Sequence, residues 1–466
     1  MLVLRIISYI KKCDRRIRHY LATPDMVCHS VPPNSEVTID LYYKDSIHLT
    51  FDADTVDNPD WIVEDNMLRL RQPDKLDRCF YALTLFYTGT ELVHKKHKMS
   101  VQTRHYVNVR VRSWKTNHYT LCKCSHDWNS PRFVKEFDDC VLEIIDNALY
   151  VRSTRDGRGR RRICKMYVGY EEGLEIVRQE DYFALRNGTR ILINKGLRGT
   201  WKVIFNKKDS TGIRNSMVWV KNEQDELELL FSEYTVVWGH HHIYCYNVLK
   251  EELTIRQTFY SINEHNTQGL IPFARHIHLM MQDPYTGYIY IGNGDYNDGS
   301  SAIYYSKDNC HTLIRIGSYS QEYRTLSFIF TKKSVFWNMD TPYEPQYLCR
   351  LSKTDLPESD MDKSHVIKYP LIHSAHWLVE QLRTEEEEVM YIMSSNREAN
   401  FFDDRIRIFG IMIKNEEPVF YELLALPYNG DIFHQYYPMG VCQNKVLLMD
   451  ICSHKHAFYK LKKENA

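Results

Sequence analysis

The sequence predicts an all-β protein: a six-bladed β-propeller preceded by a small β-sandwich-like domain and a short basic helix. Three observations lead there. From about residue 115 onward, strand-like units recur with a long period. Residues 35–110 alternate apolar and polar positions with period two between Asp, Asn, Pro and Gly turns. The chain is also rich in strand formers, with 33 Tyr and 13% aromatic residues, and aromatic and β-branched side chains fit the half-buried surface of a sheet.

The first segment, residues 1–30, interleaves Leu2, Ile6, Ile7, Ile10 and Ile17 with Lys11, Lys12, Arg15 and Arg16. That spacing predicts a basic amphipathic helix, packed on its own domain or touching a membrane surface peripherally. Its apolar start is shorter than a membrane span, and basic residues follow it rather than precede it, unlike a signal peptide. The expectation is a cytoplasmic protein without an integral membrane segment. Residues 31–112 contain Val37–Leu41, Ile47–Phe51, Met67–Leu70 and Tyr81–Leu85, alternating runs that predict the strands of the small domain.

Residues 113–466 are assigned to the propeller. The units are Val141–Val177, Ser216–Ser261, Arg275–Tyr319, Tyr323–Pro370, Ser374–Asn429 and His434–Lys460. Each spans about 40–50 residues, the size of a four-stranded blade. Residues 178–214 fit no unit and read as a partial blade or an insertion. The last unit is one strand short, and His118–Cys124 is positioned to supply that strand and close the ring.

Composition narrows the function. Lys+Arg and Asp+Glu number 60 each, for a formal net charge of +0, so no general attraction to nucleic acid is expected. The 12 Cys include no CxxC pair, which argues against a structural zinc site. Cys164, Cys245, Cys349, Cys442 and Cys452 lie on strand-like segments and read as small buried hydrophobes in a reducing compartment. Gly292–Gly299 has calcium-loop composition without EF-hand spacing and reads as a tight loop. Phosphate-binding Gly-rich, Gly-x-Ser-x-Gly and His-Glu-x-x-His motifs do not occur.

At Tyr305-Ser306-Lys307-Asp308-Asn309-Cys310-His311-Thr312-Leu313 the chain resembles an Asp box, Ser-x-Asp-x-Gly-x-Thr-Trp. Ser306, Asp308 and Thr312 match, whereas Cys310 and Leu313 replace Gly and Trp. Between Leu230 and Arg350 the sequence is similar to an uncharacterised group of bacterial BNR/Asp-box, sialidase-like proteins. The matching pieces are Ser232–Tyr234, Ala274–His278, Asp283–Gly287, Gly294-Asp295, Ser320–Arg324 and Trp337–Pro342. The resemblance implies a sialidase-like propeller and a carbohydrate context, with no particular reaction. It departs from true sialidases in lacking a Phe/Tyr-Arg-Ile-Pro motif, and from the group in having Asn338 after Trp337.

Propellers bind ligands where the innermost strands begin around the central channel. Arg275 and Arg324 would there grip the carboxylate of an acidic glycan by charge-assisted bonds, or each would pair with a structural Asp. Tyr323, Trp337 and His241 are further substrate-binding candidates. His276 and His278, two apart on a strand, share a face and are candidates for proton transfer, with Glu233, Asp295 or Asp340 as the second catalytic group. No metal site is assigned; a divalent metal held by imidazoles with Asp295 or Glu233 is the alternative. Glu233 and Tyr234, as strand neighbours, point to opposite faces and do not form a nucleophile–base pair. The expected function is a glycosidase or polysaccharide lyase acting on an acidic glycan. The alternatives are a propeller that binds a glycan or protein in surface-polysaccharide metabolism without catalysis, and a scaffold anchored by the basic helix. The sequence assigns no oligomeric state.

Overall fold

The computed structural model describes residues 119–463 except segments 125–130, 155–158, 166–172, 208–213, 235–239, 261–275, 295–299, 341–346, 360–364, 371–378, 395–404 and 428–434. Of residues 36–111 it describes backbone strands. These include two three-stranded antiparallel sheets, one of Glu36–Asp40, Met67–Arg71 and Trp61–Glu64, the other of Thr50–Asp52, Tyr81–Thr88 and Arg104–Val111. The expected basic helix at 1–30 lies outside the described residues. Among the described residues no helix is long and apolar enough to cross a membrane.

The propeller has seven blades, not six. Each is a four-stranded antiparallel sheet. Blade 1 runs from Phe133–Glu136 to Arg161–Lys165, blade 2 from Glu175–Gln179 to Lys202–Asn206, and blade 3 from Met217–Lys221 to Glu252–Phe259. Blade 4 runs from His276–Gln282 to Ile314–Ser318, blade 5 from Thr325–Phe330 to Ile367–Pro370, and blade 6 from Glu380–Arg383 to Glu417–Pro427. Blade 7 comprises Tyr436–Cys442, Lys445–Asp450, Lys455–Lys463 and, as its outer strand, Tyr119–Lys123. The sequence therefore located the ring closure correctly: Tyr119 pairs with Lys463 and Lys123 with Tyr459. The added blade is the stretch 178–214 that fitted no unit. Its turns at Glu180-Asp181 and Gly188-Thr189 are only two residues long, with Glu180 and Gly188 at positive φ, so its strands fall inside a shorter period than expected.

Among the described residues, a buried cluster of apolar side chains lies at each blade–blade interface and accounts for the closed ring. Trp219 and Phe231 pack on Ile191 and Ile193 between blades 2 and 3. Tyr290 and Tyr305 pack on Phe328 and Trp337 between blades 4 and 5. Val134 and Val141 meet Met439 and Leu447 where blade 1 adjoins blade 7. Alternation along each strand thus serves two neighbours, because both faces of a blade are covered.

Bulges shape the blades. In blades 1, 2, 3, 4 and 6 the pairing of third and fourth strands slips by one residue, leaving Ile163, Ile204, Arg256, Ile316 and Leu423 as the extra residue on the outer strand. Such bulges increase local twist. In blades 4, 5 and 7 the innermost pair also slips, at His278, near Ser327 and at Met439-Gly440. Gly292, Asn293 and Gly294, expected in a tight loop, instead belong to the second strand of blade 4, Ile289–Gly294.

The turn at Ser306–Thr312 joins the third and fourth strands of blade 4 and is held by its own side chains. Asp308 accepts from Thr312 N and Thr312 Oγ1 at 2.8 and 2.6 Å, and Ser306 Oγ accepts from Cys310 N at 2.8 Å. Asp283, from another matching piece, holds a turn in the same way, accepting from Tyr285 N at 3.0 Å and Thr286 Oγ1 at 2.6 Å. Of the cysteines expected to be buried, Cys245, Cys349 and Cys442 are, whereas Cys164 is half-buried and Cys452 is exposed on a turn. Burial pushes the Cys245 thiol up to about 12, so it is inert at neutral pH.

His456, on the third strand of blade 7, is held neutral by burial, with Arg132 adding to the effect, and its pKa falls from 6.5 to about 4. The unfolded chain then binds a proton at higher pH than the folded one. Its contribution is present above about pH 6.5 and is lost as pH falls toward about 4, on the order of 2–3 kcal/mol. The His456→Phe protein is expected to lose less melting temperature between pH 7.5 and pH 5 than the native protein. Equal losses would show that His456 does not carry this acid sensitivity.

Candidate site where the inner strands begin

The first strands of successive blades pack around the axis. Because each second strand runs antiparallel to the first, strand starts and second-strand ends share one face. Buried polar side chains concentrate there, among them Glu175, Arg186, Glu233, His276, His278 and Asp340.

His276 opens the first strand of blade 4 and His278 is its bulge residue. The bulge turns His278 toward blade 5, where its Nδ1 lies 3.0 Å from Thr325 O. A carbonyl only accepts, so Nδ1 carries the proton. The Nε2 of His278 is 3.0 Å from Nε2 of His276; in the neutral pair it accepts, and His276 donates. Gly294 makes room for this arrangement: a Cβ there would lie 2.0 Å from Cε1 of His278. The Tyr234 ring, from blade 3, completes a row, 4.3 Å from His276 and 6.3 Å from His278 between centroids. Both imidazoles are buried, at 1% and 3% exposure, and Tyr234 is half-buried.

Glu233 points away from Tyr234. Its fully buried carboxylate accepts from Lys207 Nζ at 2.5 Å and from His242 N at 3.0 Å. Lys207 follows the outer strand of blade 2, so the pair links blades 2 and 3. Arg186 adds a second link. It stands opposite Glu175 in the ladder of blade 2 and donates to Ser232 O at 2.7 Å. Burial lowers the Arg186 pKa to about 10, opposed by Glu175 and Glu233. Burial likewise raises that of Glu175, whose carboxylate accepts from Ser216 N and Ser216 Oγ of blade 3. Glu175, Arg186 and Lys207 are not legible as site residues in the sequence because blade 2 is not; the alternating run Phe183-Ala-Leu-Arg186 is the available signal.

The blade 5 candidates divide. Arg324 Nη2 pairs with Asp340 Oδ2 at 2.9 Å, and Asp340 N donates to Arg324 O at 2.9 Å. This places Asp340 as an ion-pair partner. Trp337 is 1% exposed, within the core between blades 4 and 5, and its indole N–H donates to Glu322 O at 2.7 Å. Tyr323 stacks on Trp337 at 6.4 Å and fills the space beside Gly317, where a Cβ would lie 2.1 Å from its Cζ. Trp337 therefore lacks the exposed face that sugar stacking needs, and Tyr323 is half-buried against it. His241 is buried at the start of the third strand of blade 3. Arg275 and Asp295 lie outside the described residues. Among the described residues no group of three or more His, Cys, Asp or Glu side chains converges on a metal position.

No protein-family model and no curated protein matches the sequence. Solved structures do. An ancestral GH74 enzyme aligns at TM-score 0.43 and 10% identity over 73% of this chain and 47% of its own. Polysaccharide lyase Uly1 aligns at TM-score 0.40 and 9% identity over 74% of this chain and 92% of its own. A puromycin-hydrolyzing peptidase of Mycobacterium tuberculosis aligns at TM-score 0.38 and 8% identity over 73% and 55%. This chain thus spans about half the length of the first and third of these proteins.

Proposed function

We propose that the protein acts on an acidic glycan by β-elimination, as a polysaccharide lyase, at the Tyr234–His276–His278 row. The observation that carries this reading is the different commitment of the acidic and aromatic groups. Glu233 and Asp340 are each tied to a cation, Lys207 and Arg324. Glycoside hydrolysis usually needs an acid and a second carboxylate about 5–10 Å apart, and two carboxylates bound in ion pairs serve that role poorly. Tyr234 and His276 are instead rings 4.3 Å apart between centroids, of the residue types that general acid–base catalysis uses.

Elimination from a uronic acid needs three things. A cation neutralises the sugar carboxylate, a base removes the proton on the adjacent ring carbon, and an acid protonates the departing glycosidic oxygen. Arg324 supplies the cation, the sugar carboxylate sharing or displacing its ion pair with Asp340; its neighbour Thr325 already contacts His278. His276 takes the proton, and the C–H electron pair forms the ring double bond as the C–O bond breaks. Tyr234 gives its proton to the leaving oxygen. No water is consumed.

Incubation with polygalacturonate, alginate and glycosaminoglycans, monitored by ultraviolet absorbance of the unsaturated product, tests this. The Tyr234→Phe protein is expected to turn over about 10²- to 10⁴-fold more slowly while retaining substrate binding. Absence of unsaturated product from every polyuronate overturns the lyase reading. Binding without turnover would favour a non-catalytic glycan-binding propeller, a reading supported by the deep burial of both imidazoles between blades.

A further inference from the structure

A cavity of about 300 Å³ lies on the propeller axis, between the first strands of blades 1 to 4 and blade 6. Arg214 closes one end. Its Nε donates to Leu174 O at 2.8 Å, its Nη1 to Pro438 O at 2.7 Å, and its Nη2 lies 3.0 Å from Met439 Sδ. Its guanidinium also covers the Phe133 ring at 4.8 Å. The cavity opens toward the other face, where Gln179 and Gln282 at the strand ends are exposed. It is therefore distinct from the Tyr234–His276–His278 row.

Besides Arg214, four charged side chains line it: Lys135, Glu175, Arg178 and Glu380. Glu175 is engaged by Ser216, and Arg178 by Asp139 and Glu180 O. The other two, Lys135 and Glu380, make no direct hydrogen bond among the described residues, and Lys135 and Arg214 act on Glu380 through space. Glu380 accepts no hydrogen bond among the described residues, and its ion-pair partner, Arg214 Nη1, is 3.7 Å away, beyond hydrogen-bond reach. Lys135 makes no hydrogen bond or ion pair among the described residues. A carboxylate set inside a protein without direct donors is costly unless a ligand or water completes it. Burial raises the pKa of Glu380, opposed by Lys135 and Arg214. Met217, Met280 and Trp219 add apolar surface.

We propose that this cavity binds a small zwitterion of the amino-acid type, its ammonium on Glu380 and its carboxylate on Lys135, with its apolar body against Met217, Met280 and Trp219. The volume lies at the lower end for ligand pockets, suited to one small molecule rather than an oligosaccharide. Opposite charges without direct hydrogen bonds in one cavity select a ligand carrying both signs, since a singly charged molecule completes only one of them.

Calorimetry and thermal-shift measurements on the full chain test this, first with a panel of free amino acids. Leucine is then compared with isopentylamine, which lacks the carboxylate, and isocaproic acid, which lacks the ammonium. Leucine or a similar apolar amino acid is expected to bind, and its singly charged analogues about tenfold more weakly or worse. Lys135→Met should remove the preference for leucine over isopentylamine; Glu380→Gln should abolish leucine binding. Lys135 is exposed, so its substitution leaves the fold intact even where that of Glu380 does not. The proposal is overturned if no amino acid binds, if the analogues bind as tightly as the zwitterion, or if Lys135→Met binds both compounds as the native protein does. None of these measurements involves a polyuronate, so they stand apart from the lyase test.

Discussion

Replacing Gly440 with alanine is expected to destabilise the propeller by more than about 4 kcal/mol, the range reserved for severe core defects. Gly440 sits in the bulge of the innermost strand of blade 7, at φ +118. A Cβ there would lie 1.8 Å from Val134 O and 2.9 Å from Val134 C of blade 1. Those are backbone atoms of the opening strand of the ring, so no side-chain rotation relieves the clash. Relief requires blades 7 and 1 to part, at the interface that Val134, Val141, Met439 and Leu447 seal. Gly196→Ala is the control. Gly196 also has positive φ, at +67, but nothing lies within 4 Å of its Cβ position. That substitution is expected to cost only about 1 kcal/mol of backbone strain. Urea unfolding of the two variants measures the difference; similar midpoints would show that the clash is absorbed.

Arg214→Met is expected to cost about 3–5 kcal/mol, the usual penalty for removing one partner of a buried charged network. The side chain is 5% exposed and ties blade 3 to blades 2, 6 and 7 in one reach across the axis. Methionine keeps an unbranched apolar stem but leaves Leu174 O and Pro438 O without their donor and Glu380 without its cation. Arg214→Lys keeps the charge without the fork of donors and should fall between the native protein and Arg214→Met. Melting temperatures of the three proteins at one pH check the order. A methionine variant as stable as the native protein would show that the axial link adds nothing to closure.

Arg214 also shows where legibility ended. Five blades, 3 to 7, lie close to the units read from the sequence, because apolar alternation and turn residues mark strands locally. The closing strand was legible too, since blade 7 lacked a partner that His118–Cys124 could provide. Blades 1 and 2 were not separated, because two-residue turns compress blade 2 below the expected period. The His276–His278 pair was legible from its spacing, and the two imidazoles do meet. Arg324 pairs with Asp340 of its own blade, an arrangement that spacing along the chain does not report.

The sequence by itself determined the all-β class, the repeating blade and the strand that closes the ring. Each rests on residues near one another in the chain, whose turn chemistry and alternation act over a few positions. Only the tertiary structure decided the blade number, the burial of Trp337, the row formed by Tyr234 with His276 and His278, and the axial cavity. Those depend on which strand start faces which neighbour around the ring. Arg214 and Pro438 are 224 positions apart, and no local pattern reports that one donates to the other. Their meeting is set by closure of seven packed interfaces, each burying its own apolar cluster.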